Sequence, residues 1–191
     1  MKRVYHSSII QNLKILNPVK STHGVEYVYG TKDLVMSAVF LSGFGGDFTC
    51  CVGRDKDTGK PYICERFQGA FDLRYNLKFG SIYVLPGDTF IKGKTHWSEE
   101  VVSTVAVEPI EEIKINDAKK YLEELEVQGM LLIVKYPDKI DEIPNDDEDL
   151  VERAVVWSKM RGDIILEQIK KFHPNLLSRV IEGINNNNKY N

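Results

Sequence analysis

Three short stretches hold residue types that can do chemistry together. Val4-Tyr5-His6-Ser7-Ser8 opens with apolar, aromatic and β-branched residues, the composition of a short buried strand. It ends with one imidazole beside two small hydroxyls. Val25-Glu26-Tyr27-Val28-Tyr29 alternates polar and apolar residues as a second strand, which breaks at Gly30. Phe40 follows Tyr29 by eleven positions. A ring at a strand end and a ring about three turns along the next helix can face each other across one slot. Such a slot suits a flat heteroaromatic ring. The pair Glu99-Glu100 opens the valine-rich run Val101-Val102-Ser103, which puts carboxylates at the mouth of a strand. Successive strand residues point to opposite faces, so one of the two can enter a pocket.

The surrounding sequence predicts the elements that position these residues. Thr31 can cap a helix over residues 32–41, with Leu34, Val35, Ala38 and Leu41 on one face. Residues 9–16 read as a helical turn or loop stopped by Asn17-Pro18, and 21–24 as a polar loop. The glycines of residues 42–47 follow a helix and precede a strand, so they read as a helix stop and turn, not as a phosphate cradle. Residues 48–52 and 62–67 form a predicted hairpin, and Asp57-Thr58-Gly59 lies in its charged turn. Residues 81–86 are a strong strand turned by Gly87-Asp88, and Thr89-Phe90-Ile91 begins the next. Val101, Val102, Val105 and Val107 mark a further strand, and residues 109–115 continue extended. Asn116 is the expected cap of a helix over 117–126, with Ala118, Tyr121, Leu122 and Leu125 inward. The apolar run 130–134 fits a buried strand or part of a helix.

Composition shifts after Tyr136. Residues 137–147 are polar, acidic and bounded by prolines, the pattern of a linker. Residues 148–169 read as one amphipathic helix, interrupted near Gly162, and 174–184 as a shorter one. The expected organisation is a domain over 1–136, a linker over 137–147 and a helical segment over 148–191. Val151, Ala154, Val155, Ile164, Ile165 and Ile169 form an apolar stripe, to which Trp157 adds a ring. So apolar a face must be buried, against the preceding domain or in a homodimer through these helices.

The 191 residues suffice for one domain with a sizeable core. Apolar residues at 42% and charged residues at 28% are ordinary for a soluble globular chain. The net charge of −3 lacks the basic excess of a dedicated nucleic-acid binder. Met1-Lys2-Arg3 is basic, but no apolar stretch follows it, so no signal peptide is expected. No apolar run reaches the length of a membrane span. Cys50, Cys51 and Cys64 are odd in number and two are adjacent, a poor disulfide framework that suits a reducing cytoplasm. With His23 and His96 they lack metal-ligand spacing, so buried thiols and no metal are expected.

The strand ending in Tyr5-His6-Ser7-Ser8 resembles the opening strand of ADP-ribosyltransferases of the diphtheria-toxin and poly(ADP-ribose) polymerase type, the H-Y-E class. Tyr29-Gly30-Thr31, followed by a helix carrying Phe40, is similar to that class's second block, in which a second aromatic follows the Tyr by eleven positions. Glu100-Val101-Val102-Ser103 resembles its third block, a Glu opening a late strand. The blocks are short and scattered over residues 3–115, and their order carries the resemblance.

The resemblance implies an α+β fold: an ADP-ribosyltransferase-like split antiparallel β-sandwich with flanking helices and a helical C-terminal segment. It implies cleavage of the nicotinamide–ribose bond of NAD and transfer of ADP-ribose to an acceptor, which is a protein, a nucleic acid or a small molecule. Glu100 would stabilise the cationic ribose, hold a ribose hydroxyl and orient the nucleophile. Tyr29 and Phe40 would sandwich the nicotinamide. His6 would bond a ribose hydroxyl, and backbone groups at Ser7 with the Ser8 hydroxyl would hold the carboxamide.

Three departures from the class stand out. Ser7 occupies a place usually held by Gly, Phe40 one usually held by Tyr, and Glu99 competes with Glu100. Glu100 is preferred because the residues after it fit the strand better. His96 and Trp97 are candidates for an acceptor loop. Singly, each residue has an ordinary structural reading, and only the conjunction points to a site. The alternatives are an NAD glycohydrolase, an RNA 2′-phosphotransferase-like enzyme, for which Arg3, Arg54, Arg66 and Arg74 offer no matching phosphate set, and a non-catalytic nucleotide- or partner-binding module.

Overall fold

The computed structural model describes residues 2–20, 25–43, 46–95 and 97–188. His23 and His96 lie outside the described residues, as do Phe44 and Gly45 of the glycine-rich turn. In chain order the elements are β1 (Arg3–Ser8), β2 (Val19–Lys20), β3 (Glu26–Thr31), α1 (Leu34–Ala38), β4 (Cys50–Arg54), β5 (Pro61–Glu65), α2 (Ala70–Tyr75) and β6 (Gly80–Pro86). There follow β7 (Ile91–Lys92), β8 (Glu100–Ser103), β9 (Glu111–Ile115), α3 (Ala118–Val127), β10 (Leu132–Val134), α4 (Glu148–Arg161), α5 (Asp163–Phe172) and α6 (Leu177–Asn188). The architecture is α+β with antiparallel sheets, as expected. The larger sheet runs β7-β8-β3-β1-β6-β9, with β2 on the side of β3, and all its pairs are antiparallel. The smaller runs β10-β5-β4, and β10 joins it parallel to β5.

Strand β1 alternates between two cores. Val4 enters a cluster with Val28, Tyr83, Leu85 and Val101. Tyr5 lies against the main core, where Ile82, Met36, Leu122 and Phe71 are fully buried. β1 pairs with β6 along its whole length, from Arg3 opposite Pro86 to Ser8 opposite Ser81. Among the described residues it pairs with β3 at one position, Tyr5 opposite Thr31. Beyond that point β1 and β3 part. Gly30 sits at the parting: a Cβ there would lie 2.4 Å from Val4 Cγ1 and 3.1 Å from the Tyr5 carbonyl oxygen. Gly30→Ala must therefore push the strands apart, at about 1–3 kcal/mol of overpacking. The expected result is a lower calorimetric melting temperature; an unchanged one would mean that β1 can move freely there.

Local chemistry differs from expectation in several places. Thr31 closes β3 and does not cap α1. The cap is Asp33, whose Oδ1 accepts from the Val35 and Met36 N–H groups at 2.8 and 3.2 Å. Thr31 Oγ1 instead accepts from the Asp33 N–H. Likewise Asp117, not Asn116, caps α3, accepting from the Lys120 N–H. In both pairs the carboxylate lies nearer the first helical N–H groups. The hairpin of β4 and β5 forms from Cys50 opposite Glu65 to Arg54 opposite Pro61, with Asp55 and Thr58 bonded in its turn. Sequence assigned no element to α2. Its Arg74 is buried and donates to the Val39, Gly46 and Cys50 carbonyls and to Ser42 Oγ, which fastens the turn after α1 to β4.

The C-terminal stripe is buried against the preceding chain. Leu150, Val151, Ala154, Val155, Ile165 and Ile169 surround Phe48, itself 2% exposed. Ile164, placed on the same stripe by the sequence, is exposed. The expected long helix ends at Gly162, whose φ of +60° and ψ of −140° suit a residue without a Cβ, and α5 starts anew. Residues 137–147 are polar yet anchored, since Ile143 is buried with Cys51, Tyr62 and Cys64, and Ile140 packs beside them.

Candidate active site

Where β1 and β3 part, a cleft with about 80 Å³ of water-accessible space opens. That is several times the 10–15 Å³ one water needs. Tyr5, His6 and Ser7 of β1 form one side, and Tyr29, Gly30 and Thr31 of β3 the other. Ser37 of α1, Phe40 just after it, Trp97 and Glu100 complete the walls. The structure thus brings together His6, Ser7, Tyr29, Phe40 and Glu100. Ser8 is not among the lining residues, and its Oγ accepts from the Ile10 N–H at 3.0 Å.

His6 occupies the gap between the strands. Its Nδ1 lies 2.7 Å from the Tyr29 carbonyl oxygen, so the side chain supplies a donor where the β1–β3 ladder has stopped. Burial lowers the imidazole below its ordinary value, and the Tyr29 bond opposes that only in part. A carbonyl only accepts, so Nδ1 carries the proton of the neutral ring and Nε2 keeps its lone pair. In this tautomer the ring of His6, a lining residue, has Nε2 as its acceptor.

Glu100 opens β8 and lies opposite Thr31, which lies opposite Tyr5. That register puts Glu100 on the same face as Tyr5. Its backbone N–H donates to the Trp97 carbonyl at 3.2 Å, closing a turn before the strand. Burial pushes its carboxyl above the ordinary glutamate value, and a bond with the Thr95 hydroxyl opposes this. Glu99 points elsewhere. Its two oxygens accept from Arg54 Nε and Nη2, both at 2.7 Å. Of the two adjacent carboxylates, Glu100 lines the cleft and Glu99 is held by an arginine.

Ser7 Oγ donates to the Ser37 carbonyl at 2.6 Å and lies 2.9 Å from Ser37 Oγ. With the Ser7 proton committed, the Ser37 hydroxyl is the donor between the two, and the remaining lone pairs can accept. Phe40, about one-third exposed, leans edge-on against Trp97 with ring centroids 5.3 Å apart. Tyr29 meets Tyr27 edge-on at 5.8 Å. Sequence reading missed Tyr5 and Ser37. Ser37 was legible in principle, because it lies three residues before Phe40 and so on the same helix face.

Cys50, Cys51 and Cys64 are buried and free, and burial pushes the Cys50 thiol up to about 11. Among the described residues no group of three or more His, Cys, Asp or Glu is placed to hold a metal ion. Among the same residues no helix is long and apolar enough to cross a membrane.

The class these observations define is an α+β protein with a cleft between splayed antiparallel strands, lined by an imidazole, aromatic rings and a half-buried carboxylate. No protein-family model matches the chain, and neither a curated protein nor a solved structure matches it significantly.

Proposed function

We propose that the chain cleaves NAD at the nicotinamide–ribose bond and transfers the ADP-ribosyl group to an acceptor, as an ADP-ribosyltransferase-like enzyme of the H-Y-E type. One observation carries the reading: His6, Tyr29, Phe40 and Glu100, named from sequence and spread over 94 positions, line one cleft. The splayed β1–β3 pair agrees with the split sandwich that such a fold requires.

The lining is compatible with the following roles. Tyr29 and Phe40 offer apolar faces to a flat ring. Lone pairs of the Ser7–Ser37 hydroxyl pair can accept from the N–H of a carboxamide. His6 Nε2 can accept from a ribose hydroxyl. As the C–N bond breaks, its electron pair leaves with nicotinamide and positive charge develops on the ribose. Ionised Glu100, in a partly desolvated cleft, stabilises that charge. The acceptor's oxygen or nitrogen then bonds to the anomeric carbon and loses its proton. Three unpaired thiols suit a reducing, cytoplasmic setting.

The test is incubation with NAD, with nicotinamide and labelled ADP-ribose both followed. Nicotinamide release with label on an acceptor is expected. Release without transfer would make the chain an NAD glycohydrolase. Neither release nor NAD binding would overturn the reading and leave a binding module.

A further inference from the structure

Arg54 joins two walls of the cleft without lining it. It closes β4 of the smaller sheet and sends Nε and Nη2 to both carboxylate oxygens of Glu99, at 2.7 Å each. Nη2 also donates to Asp33 Oδ2 at 2.9 Å, and Nη1 to the Gly59 carbonyl at 2.7 Å. Glu99 directly precedes Glu100. Asp33 caps α1, the helix that carries Ser37 and leads to Phe40. One planar cation therefore spans the backbone before the cleft's carboxylate, the cap of the helix leading to its aromatic wall, and the β4–β5 turn.

The plain alternative is a surface ion pair, which contributes little when partners are long, mobile and solvated. Here the Arg54 side chain is 30% exposed and that of Glu99 20%. The bidentate geometry is the strong kind of charge-assisted bond, and its anchors lie on three separate segments. Lysine cannot reproduce such a fork.

We propose that Arg54 is a positioning residue: its grip on Glu99 and Asp33 aims Glu100 into the cleft and holds the helix that leads to Phe40. The proposal rests on the NAD-cleaving reading. It has an electrostatic consequence. Among the described residues, the titratable groups lining the cleft with Glu100 are Tyr5, His6 and Tyr29, and the Thr95 hydroxyl bonds to it. Behind it stand Glu99, Arg54 and Asp33. Removing Arg54 leaves Glu99 an uncompensated negative neighbour, so Glu100 ionises at higher pH. Removing the charge of Glu99 while keeping Arg54 does the opposite. A role confined to stability would lower the melting temperature without a selective loss in kcat.

The experiment compares the full-length parent with Arg54→Ala, Arg54→Lys and Glu99→Gln. Nicotinamide release is measured against pH, beside melting temperature and the carboxyl titration of Glu100 by carbon NMR. For Arg54→Ala the expected loss in kcat is on the order of 10²-fold, the typical result of misplacing a reacting group by about an ångström. KM for NAD should move far less. The acid limb should shift up in Arg54→Ala and down in Glu99→Gln, with Arg54→Lys recovering part of the rate. If Arg54→Ala does not fold, Glu99→Gln decides: lowered kcat at the parent's melting temperature supports the proposal, and parental kcat overturns it. Parental turnover in Arg54→Ala, or limbs that move together, would also overturn it. If the parent itself releases no nicotinamide, the NAD reading fails. The positioning claim is then decided by NMR on Arg54→Lys, which keeps the charge and loses the fork: displaced Glu100 carboxyl and Phe40 ring resonances sustain it, and parental ones remove it.

Discussion

Glu100→Gln is expected to slow nicotinamide release by a factor of about 10² to 10³, the usual loss when one preorganised charge contact to a transition state is removed. The side chain keeps its shape, and the Phe40 and Tyr29 rings are untouched, so NAD affinity by calorimetry should stay near the parent's. Tyr29→Ala should do the reverse, weakening NAD binding more than it lowers the rate of bound substrate. The pH profile carries a second signature. Burial raises Glu100 and lowers His6, so acidification protonates a carboxylate that must be ionised and charges an imidazole that must accept. Both losses act in one direction. Activity should rise with pH between about 4 and 6.5, the ordinary carboxylate and imidazole values. The stability sign is the opposite for Glu100. Its folded-state value lies above the unfolded one, so it favours folding at low pH and loses that contribution as pH rises through the folded value. At neutral pH the Gln variant should therefore melt no lower than the parent. If Glu100→Gln releases nicotinamide at the parental rate, Glu100 does not carry the chemistry.

Ending the chain at Asn145 is expected to lower the melting temperature by on the order of 10 °C or abolish folding. The deletion removes α4, α5 and α6, which together enclose Phe48. It also takes the stacked partner of Phe67, Phe172 at 6.1 Å, and the His173 ring whose Nε2 bonds the Phe48 carbonyl at 2.6 Å. An ion-pair network goes with them. The Arg66 side chain is 1% exposed and bonds Asp149 Oδ2 at 2.7 Å and Asp147 Oδ1 at 3.3 Å. Losing the burial of even two aliphatic side chains of the Phe48 cluster costs about 3–6 kcal/mol. At about 2–4 °C per kcal/mol for a chain of this size, that alone gives a shift near 10 °C. Asp149→Asn should give a smaller shift in the same direction, because Asp147 remains. A truncated chain melting with the parent would mean that the helices add nothing to the fold they cover.

Much of the site was legible in sequence because its signals are local. Composition marks β1 and alternation marks β3 as strands, and Phe40, eleven positions after Tyr29, follows the helix between them and lines the same cleft. The valine run after Glu100 marks β8, and the charged turn at Asp57-Thr58-Gly59 marks a hairpin, so the α+β class followed from neighbours in the chain. The apolar stripe from Val151 to Ile169 likewise demanded burial, whatever covered it. What local signals lacked was the choice between near equals. Thr31 and Asp33 both have capping side chains, and the backbone path out of β3 selects Asp33. Ser8 and Ser37 both carry hydroxyls. The turn after β1 takes Ser8 to the Ile10 N–H, and the crossing of α1 over β1 brings Ser37 to Ser7. Glu99 and Glu100 are the same residue type at adjacent positions. Only the register of β8 on β3, and an arginine 45 positions upstream that claims Glu99, decide which carboxylate faces the cleft. Register and cross-sheet pairing are energies between residues distant in sequence, set by burial over the whole core, and no short window of the chain contains them.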